Sequence, residues 1–300
     1  MAEAIDAMIG AFTEISSGEI IVPVRTSLAN ANHTGTTLSM PCYSKAKNLY
    51  SIKIVTVFPQ NKDLPMIQGK VLIIDGRNGT TLATIDAGYL TALRTGAASG
   101  LATKLLSNED SSVLAIIGTG KQAINQVEAV LAVRSIKTIL VKGSNLNQSE
   151  VFCEVIRKKF SVYATPISEK EPLIQADVIC TATNSTSPVI DHRFVKPGAH
   201  INAIGAYRPD MQELPSQLMK NAFIIVDQLK ACLEEAGDII IPINQGIIKS
   251  SDVQTELGEI ILKRKSGKKL ADQISIFKSV GNAAQDLAIG HLLLKKFALL

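Results

Sequence analysis

The chain has 300 residues, of which 46% are hydrophobic and 19% charged, and its formal net charge is +4. These values are ordinary for a soluble globular chain with a sizeable core, and the length predicts about two domains. The small charge argues against nucleic-acid binding. The one dense basic run, "LKRKSGKK" (262–269), has no interleaved aromatic residues and is interpreted as a solvated helix end.

Cysteine and histidine spacing predicts no metal site. The cysteines form no CxxC pair, which also fits a reducing compartment, and the histidines show no ligand spacing. These residues are Cys42, Cys153, Cys180, Cys232, His33, His192, His200 and His291. The N-terminus is acidic and amphipathic rather than signal-like, and no apolar stretch approaches the roughly 18 residues of a membrane span. We therefore expect a cytoplasmic protein that binds neither metal nor membrane.

The first third of the chain predicts a helix and then a sheet. Apolar residues at helical spacing predict a helix over 2–16. Strand-like runs separated by turn residues predict an antiparallel or mixed sheet, with strands at 35–43, 48–58, 69–76 and 79–86. A long helix is predicted over 86–106. It is rich in alanine and other small residues, so it should pack closely against other elements.

From residue 111 onward, strands alternate with helices. Strands are predicted at 112–118, 137–143, 176–183, 199–205 and 221–227, and helices at 121–133 and 149–160. This alternation predicts a parallel, doubly wound sheet. Residues 276–300 are predicted as an apolar helix that returns to the first domain. We therefore expect an α/β protein: a Rossmann-type domain over 106–275, and a discontinuous α+β substrate-binding and dimerisation domain over 1–105 and 276–300.

A glycine motif, "IIGTGKQA" (116–123), follows an apolar strand and opens a helix. In this G-x-G-x-x-A pattern, the first glycine permits a tight turn, the second lets a pyrophosphate approach the backbone, and the alanine permits close packing. A glycine turn in some other α/β protein is the alternative, but the surrounding strands and helices favour dinucleotide binding. The expected cofactor contacts are Gly118, Thr119, Gly120, Lys121, Gln122 and Ala123.

The end of the next strand indicates which dinucleotide binds. NAD-binding proteins usually carry an acidic residue there, to hold the ribose 2′-hydroxyl. Here the sequence is "LVKGSNLNQ" (140–148), without an acid. Lys142, Ser144 and Asn145 would instead meet a 2′-phosphate, so NADPH is predicted. If Lys142 only points into solvent, NADH is accepted as well.

Three basic residues of the first half occupy restrictive positions. They are Arg25 in "IVPVRTSL" (21–28), Lys53 in the middle of an apolar strand and Arg94 in the alanine-rich helix. An unpaired lysine at an inner strand position costs several kcal/mol, about 2–7 for a polar group without a partner, unless it reaches solvent. Periodicity places Lys53 on the face opposite Ile52 and Ile54. That pattern leaves a solvated and a functional lysine equally open.

Six segments together carry a family resemblance. In chain order they are "PVRT" (23–26), "SIKIVTVFPQN" (51–61), "LTALRTGAASGLAT" (90–103), "IIGTGKQA" (116–123), "INAIGAYRPDMQEL" (201–214) and "FKSVGNAAQDLA" (277–288). Their order and content resemble the ornithine cyclodeaminase/μ-crystallin family over nearly the whole chain, beginning at the family's first helix.

The resemblance implies a two-domain NAD(P) enzyme that dimerises through the sheet of its substrate domain. Members act on small α-amino acids, α-keto acids or the imines that connect them. By resemblance, Arg25 would clamp the substrate carboxylate, Lys53 would orient the substrate or exchange a proton, and Arg94 would lie between cofactor phosphate and substrate. A structural ion pair is the alternative for each. The implied cofactor contacts outside the glycine motif are Arg94, Thr95, Thr181, Ala182, Thr183, Ala206, Tyr207, Ser279, Val280 and Gly281.

The segment "HINAIGAYRPDMQELP" (200–215) bears on the reaction. Family members that deaminate ornithine, and those that act as alanine dehydrogenases, have two glycines followed directly by an aspartate in this motif. In this chain Gly205 and Ala206 occupy the positions of the two glycines, Tyr207 occupies that of the aspartate, and the next acidic residue is Asp210. Deamination needs a base, whereas reducing a preformed cyclic imine needs only hydride, a carboxylate clamp and at most one proton. The segment is therefore similar to the ketimine-reductase side of the family.

The leading hypothesis is NAD(P)H-dependent reduction of Δ1-pyrroline-2-carboxylate to L-proline, or of Δ1-piperideine-2-carboxylate to L-pipecolate. The alternatives are an ornithine cyclodeaminase, an alanine dehydrogenase-like amino-acid dehydrogenase, and a μ-crystallin-like binding protein without turnover. The intact set of three basic residues argues against the last. Tyr207 either packs over the site or takes a direct part, Glu213 is expected to brace the loop, and Asp286 to cap or pair within the fold.

Overall fold

The structure, a computed structural model, describes residues 1–32, 34–267 and 272–299. His33, Lys268 and Lys269 of the basic run, and Leu300 lie outside the described residues. The strands are β1 Ile20–Ile21, β2 Thr26–Ala29, β3 Thr36–Ser44, β4 Leu49–Val57, β5 Ile67–Asp75, β6 Thr81–Asp86, β7 Val113–Ile117, β8 Thr138–Lys142, β9 Tyr163–Pro166, β10 Val178–Thr181, β11 His200–Ala203, β12 Phe223–Val226, β13 Thr255–Glu256 and β14 Ser275–Lys278. The α-helices are α1 Ala2–Ser17, α2 Ala87–Leu106, α3 Ala123–Leu131, α4 Leu146–Phe160, α5 Ser216–Met219, α6 Leu229–Glu235, α7 Gly237–Asn244, α8 Leu257–Ile261 and α9 Ala283–Lys296.

The first sheet is antiparallel, in the order β1-β3-β4-β5-β6, and β2 also pairs with β3. Its strands alternate between two faces, as side chains on a pleated strand must. In β4, Leu49, Ser51 and Lys53 are buried, whereas Tyr50 and Ile54 are exposed. The buried face packs against α2 and α9, and α1 covers those two helices. Lys53 therefore lies on the inner face, opposite Ile52 and Ile54 as the periodicity predicted.

The second sheet is parallel, in the order β13-β12-β14-β11-β10-β7-β8-β9. Each inner strand has apolar side chains on both faces of the sheet. In β7, Leu114 and Ile116 join the core beneath α3 and α4, whereas Ala115 and Ile117 join the core on the α5–α7 side. Because both faces are covered, the strands read as continuous apolar runs. The predicted α/β class, with its Rossmann-type doubly wound sheet, is confirmed.

Helix α2 joins the two sheets, and its small residues make this possible. It packs against α1, α3 and α9 and also contacts β5 and β11. A Cβ atom placed on Gly96 would lie 2.6 Å from the Asn125 carbonyl oxygen of α3. No ordinary side chain fits that distance, so the predicted close packing depends on glycine at this position.

The prediction of one helix over 276–300 is wrong in its first part. Residues Ser275–Lys278 form β14, which lies between β11 and β12 in the parallel sheet. A strand buried on both faces has no alternation, so its apolar pattern cannot be told from that of a buried helix. The positive φ of Gly281 (73°) ends the segment after the strand, and Asn282 then caps α9. We propose the same two-domain division, with the return to the first domain near residue 281 rather than 276.

Candidate functional site

The carboxyl ends of the parallel strands meet at one edge of the sheet, and the glycine motif lies there. Gly118 has a φ of 101°, and its N–H donates to the Lys142 carbonyl at 2.8 Å. A Cβ atom on Gly118 would lie 2.5 Å from the Ala182 carbonyl oxygen. At Gly120, by contrast, a Cβ atom would meet nothing within 4 Å. A tight turn that only glycine accommodates, followed by open space at the N-terminus of α3, fits the pyrophosphate of a dinucleotide.

The other residues of the motif continue into α3. Thr119 is half-buried, Lys121 is exposed, and Gln122 is the N-cap residue without a side-chain cap bond. Ala123 is fully buried against the sheet, where a larger side chain would separate the helix from it. Within the first turn of α3, the N–H groups of Ala123 and Asn125 donate to the carbonyls of Gly120 and Gln122 at 3.0 and 3.2 Å, so the open approach at the sheet edge lies at Gly120.

The predicted 2′-phosphate residues lie at the end of β8, and each has a local partner. Lys142 Nζ donates to the Ser168 carbonyl. Ser144 Oγ donates to Gln148 Oε1 at 2.6 Å, and Asn145 Oδ1 caps α4 by accepting from the Gln148 N–H at 2.9 Å. The segment contains no acidic residue, so nothing in it repels a phosphate.

Glu213 organises the loops that follow β10 and β11. Its buried carboxylate accepts from the Thr181 and Thr183 hydroxyls at 2.9 and 2.8 Å. It also accepts from the backbone N–H groups of Thr183, Gly205 and Ala206 at 2.7, 2.7 and 3.2 Å. Both threonine hydroxyls therefore donate to Glu213, and the Ala182 N–H between them donates to the Ile117 carbonyl at 2.8 Å. Bracing is the role predicted for Glu213.

A buried ion pair lies next to Glu213. Lys278 Nζ contacts Asp238 Oδ2 at 2.9 Å, and both side chains are fully buried. The other oxygen of Asp238 accepts from the N–H groups of Glu213 and Leu214 at 2.7 and 2.9 Å. Burial and the nearby Asp238 raise the pKa of Glu213, and the positive charge of Lys278 and the hydrogen bonds from Thr183 oppose that shift. The pair fixes the backbone that presents Glu213.

Asp227 holds the segment Ser279–Gly281 at the end of β14. Its Oδ2 accepts from Ser279 Oγ and from the Gly281 N–H, both at 2.8 Å, and from Gln285 Nε2 at 3.2 Å. The Ser279 N–H donates to the Ala203 carbonyl at 3.2 Å. These bonds place Ser279, Val280 and Gly281, which are predicted cofactor contacts, directly beside the end of β11.

Lys53 and Arg94 share one carboxylate, that of Asp286. Lys53 Nζ lies 3.1 Å from Asp286 Oδ1, and Arg94 Nε lies 3.4 Å from the same oxygen. Arg94 Nη1 also donates to Gln285 Oε1 at 2.9 Å. Thr95, which neighbours Arg94, donates its hydroxyl back to the Thr91 carbonyl of α2. Two cations from different elements therefore converge on the first turn of α9.

The environment of Lys53 sets its proton affinity. Its side chain is 1% exposed, and burial lowers its pKa to about 8. Asp286 raises the pKa, and the positive charges of Arg94 and Arg25 lower it. A lysine with this pKa is mostly protonated at neutral pH and can still exchange its proton, which is a property of acid–base groups in active sites.

Arg25 approaches the same segment from β2. Its Nε donates to Glu235 Oε1 at 2.9 Å, and its Nη2 lies 2.9 Å from Glu235 Oε2. Nη2 also donates to the carbonyls of Val280 and Gly281 at 2.9 and 2.7 Å. Nη1 makes no hydrogen bond to any residue that the structure describes. The three predicted basic residues thus gather around residues 280–286. Glycine at position 281 permits the approach of Arg94, since a Cβ atom there would lie only 2.0 Å from Arg94 Nη1.

A narrow cleft opens beside Arg25, with a cavity volume of about 10 Å³, or about 220 Å³ when the open space at its mouth is included. Its polar lining comes from both halves of the chain: Arg25, Gln228, Glu235 and Asn282. Met40, which is directly opposite Lys53 across β3 and β4, supplies part of the apolar wall. The cleft therefore lies between the two sheets, next to the loops that carry the predicted cofactor contacts.

The polar segment that follows β11 contributes few groups to the candidate site. Tyr207 is half-buried and packs against the core of the parallel sheet. Arg208 and Asp210 form an exposed ion pair with a distance of 2.9 Å. Asp210 is thus occupied at the surface and is not a substitute for the aspartate that follows the glycine pair in cyclodeaminases.

Sequence reasoning missed several residues of this site. The sequence pattern assigns Asp286 a role only within the fold, and it does not single out Asp227, Glu235 or Asn282. The available signal was the isolated Asp286 in an apolar helix, because a buried charge needs a partner of opposite sign. Among the residues described, no group of three or more His, Cys, Asp or Glu side chains is placed to hold a metal ion, and no helix is long and apolar enough to span a bilayer.

Comparison with known proteins gives consistent results. The model of the ornithine cyclodeaminase/mu-crystallin family matches residues 1–297. A Delta(1)-pyrroline-2-carboxylate reductase of Bacillus cereus is 40% identical over 300 residues, which are 99% of this chain and 92% of that protein. Ketimine reductase mu-crystallin of Mus musculus is 37% identical over 292 residues, covering 96% and 89%.

A solved structure shares the whole fold. The Delta(1)-pyrroline-2-carboxylate reductase of Thermococcus litoralis, determined in complex with NADH and L-proline, matches with a TM-score of 0.93 and 35% identity. The match covers 98% of this chain and 92% of that one. The family resemblance inferred from six short segments is therefore confirmed along the full length. The chain belongs to the ornithine cyclodeaminase/mu-crystallin family.

Proposed function

We propose that the protein is an NAD(P)H-dependent reductase of cyclic ketimine carboxylates, converting Δ1-pyrroline-2-carboxylate to L-proline and Δ1-piperideine-2-carboxylate to L-pipecolate. One observation carries the proposal: Lys53, a buried lysine of the antiparallel sheet with a pKa of about 8, shares the Asp286 carboxylate of α9 with Arg94. The Bacillus cereus and Thermococcus litoralis reductases, similar over nearly the whole chain, support the same activity.

The residues divide the work of imine reduction. Arg25 binds the substrate carboxylate through Nη1, and Lys53 holds a proton for the ring nitrogen. Arg94, held by Gln285 and Asp286, keeps positive charge between the substrate and the cofactor phosphates. When bound, the reduced nicotinamide supplies the hydride that the ring carbon accepts. Asp227 and Glu213 brace two buried loops, which hold these groups in fixed relative positions. Fixed positions of the reacting groups increase the rate.

The preferred cofactor is NADPH, with NADH accepted. The end of β8 offers Lys142, Ser144 and Asn145 and lacks the acidic residue that would hold a ribose 2′-hydroxyl. The present partners of Lys142 and Ser144 are single contacts near the surface, which a phosphate can replace. Equal affinity for NADH and NADPH would contradict this preference.

A spectrophotometric assay tests the function. We expect oxidation of NADPH, and more slowly of NADH, with Δ1-pyrroline-2-carboxylate and Δ1-piperideine-2-carboxylate as substrates. Pyruvate with ammonia tests the amino-acid dehydrogenase alternative. Ornithine with NAD, followed by detection of proline and ammonia, tests the cyclodeaminase alternative. Robust ornithine turnover without imine reduction would refute the reductase assignment.

We further propose a homodimer formed through the antiparallel sheet. The outer face of that sheet is apolar, and no element of the described chain covers it. Cross-strand pairing places its side chains together: Pro41, Tyr43, Tyr50, Ile52, Ile54, Leu72 and Ile74. The rings of Tyr43 and Tyr50 lie 4.5 Å apart on this face. A contiguous apolar face of this kind is typical of an interaction surface.

We also propose a cytoplasmic location. The four cysteines are free and buried, so none of them requires an oxidising compartment for a disulfide. Cofactor use supports the same location, because reduced nicotinamide dinucleotides act as intracellular reductants. Fractionation of cells that express the tagged protein tests this, and recovery in a secreted fraction would contradict it.

A further inference from the structure

Asn282 lies where the substrate cleft meets the N-terminus of α9. It lines the cleft together with Arg25 and Gly281, and it is 4% exposed. The adjacent Gly281 carbonyl accepts from Arg25 Nη2 at 2.7 Å. The chain connection and this bond therefore fix Asn282 close to the guanidinium that binds the substrate carboxylate in the proposed function.

The amide of Asn282 can face the cleft in only one orientation. Its Oδ1 caps α9, accepting from the N–H groups of Ala284 and Gln285 at 3.1 and 3.4 Å. Only an oxygen can accept these bonds, so the Nδ2 group must be the one that points away from the helix. An ambiguity between the oxygen and nitrogen of the amide, common for asparagine, does not arise here.

The Nδ2 group is a buried donor without a protein partner in the part of the chain that the structure describes. Buried donors are nearly always satisfied, so an orphaned one in a cleft indicates a group that arrives with a ligand. Arg25 Nη1 is a second uncommitted donor at the same cleft. The N-terminus of α9, a helix of 14 residues, adds positive potential. All three features select an anion with hydrogen-bond acceptors.

One feature of the cleft opposes an anion, namely the carboxylate of Glu235. It is already held by the Nε and Nη2 edge of Arg25, which leaves the Nη1 edge free. The charge of Glu235 is therefore compensated, and the uncommitted groups nearest Asn282 remain donors.

We propose that Asn282 is a substrate-binding and specificity-determining residue, whose Nδ2 group donates to the substrate carboxylate beside Arg25. This inference rests on the proposed reductase function. Asn282 selects imines that carry a 2-carboxylate over imines that lack one. It binds through its nitrogen while its oxygen caps α9, so one side chain fixes both the helix and the anion.

The substitution Asn282→Asp tests this role, because aspartate is an equally good N-cap residue but offers no donor. We expect cofactor affinity to survive and the melting temperature to fall, because the variant keeps the cap of α9 but buries a carboxylate. We expect KM for Δ1-pyrroline-2-carboxylate to rise at least about 10-fold, because the variant loses a hydrogen bond to a charged group and places a second carboxylate beside that of the substrate. The rate with Δ1-pyrroline, which has no carboxylate, should change little.

Calorimetric binding supplies a readout independent of turnover. With the oxidised cofactor present, the variant should bind L-proline at least about 10-fold more weakly and bind L-prolinamide no worse than the parent protein does. Asp86→Asn is the matched control, since it makes the reverse exchange at the exposed N-cap of α2. It should alter neither affinity.

If Asn282→Asp does not fold, Asn282→Ser retains a cap residue with a shorter side chain and should weaken L-proline binding in the same direction. Unchanged KM and unchanged L-proline affinity in a folded variant would overturn the role of Asn282, with only a solvent molecule then satisfying Nδ2. That result leaves the reductase function intact. Absence of imine reduction by the parent protein would instead refute the proposed function itself.

Discussion

Lys53 combines two properties that are rarely found in one lysine, near-complete burial and a retained ion pair. Burial lowers its pKa from 10.5 to about 8, although Asp286 opposes the shift. Between these two pH values the unfolded chain binds more protons than the folded chain. The contribution of Lys53 to the free energy of unfolding therefore increases as pH rises from about 8 to about 10.5, and is lowest below that window.

At the catalytic step, we expect Lys53→Ala to lower imine turnover by at least about 10²-fold, because a positioned proton-handling group is lost. Cofactor affinity should survive, since Lys53 lies in the antiparallel sheet, away from the glycine motif. Steady-state kinetics and a cofactor titration measure the two effects. An unchanged rate would remove Lys53 from the mechanism.

The pH profile tests the pairing of Lys53 with Asp286. If imine reduction needs protonated Lys53, kcat/KM should fall as pH rises through about 8. Asp286→Asn removes a negative charge that raises the pKa of Lys53, so the alkaline fall should move to lower pH.

A matched control for that profile is Glu128→Gln, which removes the surface partner of Lys159, 2.9 Å away on α4. We expect this variant to keep the alkaline fall where it is. If Asp286→Asn leaves the profile in place as well, Asp286 does not set the proton affinity of the catalytic group.

Among the elements, the turn between β7 and α3 carries the strictest requirement on sequence. Its two glycines meet different needs. Gly118 has a left-handed backbone and lies against the Ala182 carbonyl, whereas Gly120 faces open space. The first glycine is thus needed for the fold of the turn, and the second for the approach of a ligand.

Alanine substitutions should separate these needs. Gly118→Ala should destabilise the protein by about 1–3 kcal/mol and weaken cofactor binding, since it strains the backbone and meets Ala182. Gly120→Ala should keep the melting temperature and weaken only cofactor binding. Thermal melts and fluorescence titration with NADPH measure both. Equal stability loss in the two variants would contradict the distinction.

For the whole molecule, the antiparallel sheet has two faces with different uses. Its inner face carries Lys53 toward α9, and its outer face is apolar. In the proposed dimer, the outer face is buried against a second copy, which holds β4 and hence Lys53 in place. Assembly and catalysis would then depend on opposite sides of the same strand.

The substitution Ile54→Glu tests the dimer. Ile54 is 45% exposed and lies opposite Lys70, so a glutamate there has a cation beside it within one chain but would place a charge in the apolar interface. We expect the dimer to dissociate in sedimentation or light-scattering measurements. Val155→Glu on α4, where the valine is also 45% exposed, is the control and should leave assembly unchanged. An intact Ile54→Glu dimer would exclude this face.

The sequence by itself determined what local patterns encode. Alternating and helical spacing predicted most strands and helices, and the glycine motif predicted the dinucleotide edge, because each depends on residues within a few positions of one another. Short elements such as β9 and β13 were too brief to show a period. The apolar pattern of β14 predicts a helix rather than a strand, because both faces of β14 are buried.

Only the tertiary structure decided which charges meet. Lys53 and Asp286 are 233 residues apart in the chain, and Arg25 and Glu235 are 210 apart. The sequence showed that a lysine in an apolar strand and an aspartate in an apolar helix each needed a partner. It could not identify that partner, because the requirement to pair a buried charge is local, whereas the choice of partner follows from how the two sheets and α9 pack together.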